Sequence, residues 1–327
     1  MVMNRKRMMK LVFICTVLVL LLVILYSGLQ ILESTFFPNE QEGAATESRW
    51  IVRDGVRYYP RQDITVILLM GIDRAGEITG GESDQGHAAD MIALMVFDEK
   101  NEKSELLLLN RDTMVMMNGL DSSGNVSGKY YRQLALSHSD GTGREDSCEN
   151  VCDTVSNMLN GIDIDYYISM DFGGIAILND AVGGVTVQVT DDFSAIDSSI
   201  GMGEITLYGE QAVNFIRSRK NLGDQLNLSR IERHKEYLSG FVKALREELQ
   251  NDSEFALSLY GKISPYIVTN FSMISLVGII ERYSNYELVE IVSTEGENIT
   301  DKKDMEFYVD EEKLDELILR LFYAPHS

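Results

Sequence analysis

The run Leu11–Leu32, LVFICTVLVLLLVILYSGLQIL, holds 22 residues without one charged side chain. As a helix it would reach about 33 Å at 1.5 Å per residue, enough to cross the hydrocarbon core of a bilayer. A cleaved signal peptide is the rival reading, but no A-x-A-like site follows the run promptly. Arg5, Lys6, Arg7 and Lys10 precede it and no acid does, which sets the N-terminus in the cytoplasm. The expected organisation is therefore a basic cytoplasmic N-terminus (1–10), a transmembrane anchor (11–32), an extracellular linker (33–62) and one exported domain (63–327).

Charge narrows the partners. The chain carries −22 overall, and beyond the anchor 25 basic residues face 51 acidic ones. Such a balance argues against general binding to nucleic acid, because nothing would offset phosphate repulsion. Cys148 and Cys152 stand four apart at the start of a predicted helix. That spacing lies near the limit a disulfide tolerates, so free thiols and a bridge both remain open.

Trp50 to Tyr59 reads as a hairpin turning at Asp54-Gly55, a dipeptide suited to a two-residue turn. Then come continuous apolar runs of the kind that form strands buried on both faces: DITVILLMG, MIALMVFD (Met91–Asp98) and SELLLLN (Ser104–Asn110). DYYISMD (Asp165–Asp171) and GVTVQVT (Gly184–Thr190) continue the series. Helical patterns alternate with them near 149–159, 173–181, 209–219, 228–249, 272–283 and 310–321, with a further strand at 287–292. The expected fold is α/β, an α/β/α layered exported domain around a central mixed sheet.

No G-x-x-x-x-G-K-[ST] loop, H-E-x-x-H or G-x-S-x-G motif is present. Polar residues instead collect just beyond the apolar strands: Asp73 and Arg74 after the first, Asp90 before the second, Arg111 and Asp112 after the third. Ligands of open α/β sheets bind beyond strand ends. Two carboxylates with arginine suit Mg²⁺ and phosphate, since Mg²⁺ takes one or two carboxylates and arginine offers a planar fork to phosphate oxygens. A second basic cluster, FIRSRKNLGDQLNLSRIERHKEYL (Phe215–Leu238), resists the acidic composition around it. Its Arg230 and Arg233 share a helix face at i,i+3 spacing. Arg246, further along that helix, is expected to lie apart from the cluster.

Four blocks, VILLMGIDR, ADMIALMVFDEKNEKSELLLLNRDT, GIDIDYYISMDFGGIAILNDAVGGVTVQV and LYGEQAVNFIRSRKNLGDQLNLSRIERHKEYL, resemble the LytR–CpsA–Psr wall-polymer ligases of bacteria. The resemblance spans roughly residues 64 to 249. It implies an apolar tunnel for a polyprenyl chain with the diphosphate held at its mouth. It further implies transfer of an anionic glycopolymer, wall teichoic acid or capsule, from polyprenyl diphosphate to peptidoglycan, with membrane lipid as a further partner.

By position, Asp73 and Asp90 match the family's Mg²⁺-associated acids, and Arg111, Arg217, Arg219 and Arg230 match its diphosphate-binding arginines. Lys129, in GKYYRQLALSHSDG, matches a basic residue of an eroded K-[IL]-N-x-A block. Arg74, Arg233 and His234 are assigned to the same diphosphate, and Asp73, Arg111 and Arg219 to catalysis, with Asp73 as candidate base. Departures from the pattern are Ala88 for an arginine or polar residue, Asn110 for proline and His234 for glutamine. Two rival readings follow: a module that binds or senses lipid-linked polymer without turnover, and a hydrolase that splits the diphosphate with water.

Overall fold

The computed structural model describes residues 50–74, 77–79, 81, 84–218, 227–299 and 305–326. The expected anchor at 11–32 and Arg219 lie outside the described residues. Among the described residues no helix is long and apolar enough to cross a membrane.

The chain divides into two compact units. The described part of the smaller is residues 50–60 with 324–326. In it β1 (Ile51–Arg53) and β2 (Val56–Pro60) form the expected hairpin. Asp54 and Gly55 both take positive φ, 52° and 78°, as the tight turn requires. The C-terminal strand β15 (Tyr323–Pro325) completes a three-stranded sheet in the order β1-β2-β15. The last residues were expected in the large domain; pairing with the hairpin places them here instead.

The larger unit, Arg61–Tyr323, begins with β3 (Ile64–Ile72), β4 (Ala89–Asp98), β5 (Lys103–Leu109), β6 (Met114–Leu120) and β7 (Val126–Gln133). It continues with α1 (Glu145–Met158), β8 (Tyr166–Asp171), α2 (Phe172–Ala181), β9 (Val185–Val189), β10 (Gly203–Leu207) and α3 (Glu210–Arg217). After these come α4 (Asn227–Asn251), α5 (Phe255–Ile263), β11 (Ile267–Thr269) and α6 (Met273–Tyr283). The last elements are β12 (Glu287–Ser293), β13 (Gly296–Ile299), β14 (Glu306–Val309) and α7 (Glu311–Phe322). Three two-stranded pairings, β6–β7, β9–β10 and β13–β14, are separate from the main sheet.

That sheet has six strands in the order β11-β8-β3-β4-β5-β12 and is mixed. β3 runs parallel to β8, and β5 to β12, while β3–β4, β4–β5 and β8–β11 are antiparallel. The continuous apolar runs are explained by burial on both faces. Leu68, Met70, Leu94 and Leu107 are almost wholly removed from water. On the opposite face, alternate residues such as Leu69 and Met95 pack with Ile231 and Leu238 of α4 and with Ile279 and Ile280 of α6.

Register determines where the site forms. Ile72 lies opposite Ala89 on one side and Asp171 on the other, and Ile92 lies opposite Leu109. The end of β3, the start of β4 and the ends of β5 and β8 therefore share one sheet edge. At that edge β4 carries a bulge: Gly71 faces Met91 and Ile72 faces Ala89, so Asp90 has no opposite residue. A bulge of this kind re-aims the side chain of its extra residue.

Candidate functional site

The shared edge brings together residues that are far apart in sequence. Asp73 follows β3 directly and its N–H donates to the Ala88 carbonyl (3.1 Å). His87 Nδ1 donates to the Asp73 carbonyl (2.8 Å), and His138 Nδ1 donates to the His87 carbonyl (2.8 Å). The backbone of Asp73 is thus tied to a buried histidine on the turn before α1. His138 is sealed from water, and burial pushes its imidazole down to about 4, so it is the neutral ring that donates.

Two carboxylates at the edge meet guanidinium groups. Asp90 on its bulge pairs with Arg111 through Nη1, and Arg230 Nη1 approaches its other oxygen at 3.9 Å. Arg111 also reaches Asp112 (Nε to Oδ1, 3.5 Å). It is held by the NRDT turn, in which Thr113 Oγ1 donates to the Asn110 carbonyl (2.6 Å). Arg217, at the last turn of α3, donates from Nη2 to Asp73 Oδ1 (2.8 Å), and its guanidinium lies 4.8 Å from the Phe172 ring centroid. Arg217 is half-exposed, whereas Arg230 is 5% exposed.

Behind this polar edge lies a cavity of about 330 Å³. It is lined by Leu69 of β3 and Met95 of β4 and by residues of α2, α4, α5 and α6, among them Leu178, Phe241, Leu259 and Ile280. Its wall is apolar except where Asp90, Arg217, Arg230 and His234 meet it and at Ser104, Arg246 and the 283–286 turn. An elongated apolar cavity with guanidinium groups at one end suits an amphiphile with an anionic head and a hydrocarbon tail.

Several expected site residues stand elsewhere or do other work. Arg74 is buried between Asp84 (3.6 Å) and Asp171 (3.7 Å). Its carbonyl accepts from Phe172 N–H (3.2 Å), which joins β3 to the start of α2. Asp171 also caps α2 by accepting from Gly174 N–H (2.9 Å). Burial raises its carboxyl above the usual range, against the pull of Arg74.

Arg233 is likewise committed to the fold. Its Nε donates to the Phe215 carbonyl (3.0 Å), Nη2 to the Ser218 carbonyl and Nη1 to Asp191 (2.8 Å). It pins the end of α3 to α4. His234 contacts the Ile216 carbonyl through Nε2 (3.2 Å) and also lines the cavity. Lys129 sits on the exposed β7, opposite Asn118 of β6, and does not line the cavity. Arg233, expected at a diphosphate, is desolvated and hydrogen-bonded inside the protein, while Arg74, expected there too, is desolvated between two carboxylates with Nε and Nη1 making no hydrogen bond among the described residues.

Sequence reasoning missed the bulge at Asp90 and the histidine tie to Asp73; only the register of β3 and β4 exposes the first. Cys148 and Cys152 are both free thiols, and burial pushes each up to about 12. Cys148 Sγ lies 3.8 Å from His138 Nε2.

The larger unit thus combines a mixed sheet, an apolar cavity and arginine–aspartate pairs at one end of that sheet. The LytR_cpsA_psr family model matches residues 36–322, and the chain belongs to that family. It is 28% identical to the polyisoprenyl-teichoic acid–peptidoglycan teichoic acid transferase TagV of Bacillus subtilis, over 71% of this chain and 57% of that protein. It is 32% identical to the corresponding TagU of Enterococcus faecalis, over 54% of this chain and 52% of the relative. The chain spans about half the length of the curated relatives it matches.

Solved structures share the fold. A Streptococcus agalactiae protein, gbs0355, superposes with a TM-score of 0.67 at 22% identity, covering 79% of this chain and 86% of that one. TagV of B. subtilis gives 0.60 at 23% identity, covering 80% and 97%. TagT bound to LI-WTA gives 0.60 at 21% identity, covering 80% and 90%.

Proposed function

We propose that this protein is a membrane-anchored phosphotransferase that moves an anionic glycopolymer of the teichoic acid or capsule type from a polyprenyl diphosphate to peptidoglycan. The observation that carries this reading is the apolar cavity that ends on Arg217 and Arg230. A prenyl chain would fill the cavity and its diphosphate would meet the guanidiniums. The names of the TagU and TagV relatives support the same substrate class.

In the reaction, an acceptor hydroxyl oxygen bonds to the phosphorus next to the polymer's first sugar. The bond from that phosphorus to the bridging oxygen breaks, and polyprenyl phosphate leaves with the electron pair. The hydroxyl proton passes to Asp73 and then to water. Arg111, Arg217 and Arg230 hold the non-bridging and leaving oxygens, where charge develops. Arg219 belongs to the same proposal by its place in the family pattern.

The donor chemistry at the edge fits Mg²⁺. Asp73 and Asp90 offer hard oxygen donors at adjoining strand ends, and Mg²⁺ commonly takes one or two carboxylates plus phosphate oxygens and water. Among the described residues no group of three or more His, Cys, Asp or Glu could hold an ion, so Mg²⁺ here would share its ligands with the substrate. Bound there, it would offset diphosphate charge. The anchor expected at 11–32 would place the site outside the cell, next to lipid-borne substrate.

The test supplies full-length protein with prenyl-diphosphate-linked polymer and Mg²⁺, with and without peptidoglycan. Release of polyprenyl phosphate together with polymer on peptidoglycan is the expected result. Release without acceptor would favour the hydrolase, and tight binding without release would favour a sensing module.

A further inference from the structure

The cavity has a second end. Its lining follows α4 from Arg230 to Leu249, about 28 Å at 1.5 Å per residue, with Arg246 in the last turn of that stretch. It also follows β4 from Asp90 to Phe97, about 24 Å at 3.4 Å per residue. Two elements thus place Phe97 and Arg246 at the end remote from Asp90 and Arg230. A volume of about 330 Å³ over that length describes a narrow channel.

Aromatic rings line the remote end. Phe97 stacks on Tyr283 at 4.1 Å between centroids, and Tyr286 meets Tyr283 edge-on at 4.9 Å. Both tyrosines are buried. The turn that carries them, just after α6, is held from across the cavity. Arg246 donates from Nε to the Ser284 carbonyl (2.8 Å) and from Nη2 to the Tyr286 carbonyl. The Tyr283 hydroxyl donates to Glu99 Oε1 (2.8 Å), anchoring the ring from the other side.

We propose that Arg246, through the 283–286 turn, sets the length of apolar chain that the cavity accepts, and is a specificity-determining positioning residue. This rests on the polyprenyl reading above and adds to it a stop at the tail end. A chain short enough to end before the rings gains contact with every added isoprene unit. A longer chain gains nothing further unless the turn yields. Arg246 touches no reacting atom; it acts by fixing two carbonyls of the turn.

The experiment uses full-length protein in a fixed amphipol background. Geranyl, geranylgeranyl, heptaprenyl and undecaprenyl diphosphates compete with a fluorescent prenyl diphosphate. In the wild type, affinity should rise roughly tenfold or more for each isoprene unit buried and then level off. In Arg246→Ala the levelling should move to longer chains, with Arg246→Lys between the two. Leu245→Phe, which adds bulk one residue before the clamp, should move it to shorter chains and keeps the test open if Arg246→Ala does not fold. An Arg246→Ala profile superimposable on wild type overturns the proposal, as does a Leu245→Phe profile that fails to shorten. Absence of competition by any chain length would instead overturn the polyprenyl reading.

Discussion

Arg217 is where the proposed reading can be told from a purely structural one. Its pair with Asp73 is half-exposed on both sides, 54% and 42%. Pairs so open to water contribute about 0–1 kcal/mol, and the face-on contact with Phe172 adds about 0.5–1 kcal/mol. Arg217→Lys should therefore fold normally and lose at most a few degrees in Tm. The reaction should suffer far more. Lysine keeps the charge but not the planar fork that matches two phosphate oxygens. A charge-assisted hydrogen bond is worth about 1.5–3 kcal/mol, which corresponds to roughly tenfold to a hundredfold in rate if it acts mainly in the transition state. Release of polyprenyl phosphate in the presence of peptidoglycan measures it. Arg320→Lys, an exposed arginine paired with Glu105 and Glu290 on α7, is the control. Arg246→Lys cannot serve, because that guanidinium lines the cavity. If Arg217→Lys turns over as fast as Arg320→Lys, the phosphate-site assignment of Arg217 is wrong.

Asp90→Asn should weaken activation by Mg²⁺ and also lower Tm, because Arg111 and Arg230 lose the carboxylate between them. Breaking a largely buried pair costs about 3 kcal/mol, so a variant with unchanged Tm and unchanged Mg²⁺ dependence would refute both roles. His138 is lowered from 6.5 to about 4 by burial, so its contribution to stability is whole above about pH 6.5 and is lost as pH falls through about 4. Urea melts across that window should show His138→Gln losing up to about 3 kcal/mol of acid sensitivity; an acid limb identical to wild type would show that another group titrates. Because burial holds both thiols up near 12, the double variant Cys148→Ala, Cys152→Ser should retain the full transfer rate. A folded but inactive double variant would contradict this.

The strands of the main sheet were legible because burial on both faces leaves a simple trace, a continuous apolar run. The hairpin at Asp54-Gly55 was legible because its turn needs two residues with positive φ. The β6–β7 hairpin was not: SGKYYRQ has no clean apolar alternation, and its pairing with MVMMNGL depends on the DSSGN turn. There the Asp121 carboxylate accepts from Ser123 and Asn125 N–H groups. β10, α5 and β13–β14 escaped for the same reason, since short elements at the margin carry weak periodicity. For the site, sequence placed acids and arginines at strand ends, and the sheet register does gather them. What it could not show was the bulge that leaves Asp90 without an opposite residue, or which arginines already had partners. Asp84, Asp171 and Asp191 are the deciding partners, and none is adjacent in sequence to the arginine it meets.

That distinction explains why so acidic a chain concentrates cations between Phe215 and Leu238. Arg233 is surrounded by two carbonyls and a carboxylate in a dry setting. Lending it to a ligand would strand buried acceptors, at about 1–3 kcal/mol each. Lys235 meets Glu232 across one helical turn, a solvated pair of little consequence for binding. Arg217 is different, because its carboxylate partner is also about half-exposed, so on the proposed reading phosphate would replace it at little cost. Arg230 is buried, meets Asp90 at 3.9 Å and lines the cavity. One cluster thus performs two tasks: Arg233 builds the junction of α3 and α4, and that junction holds Arg217 and Arg230 at the mouth of an apolar channel.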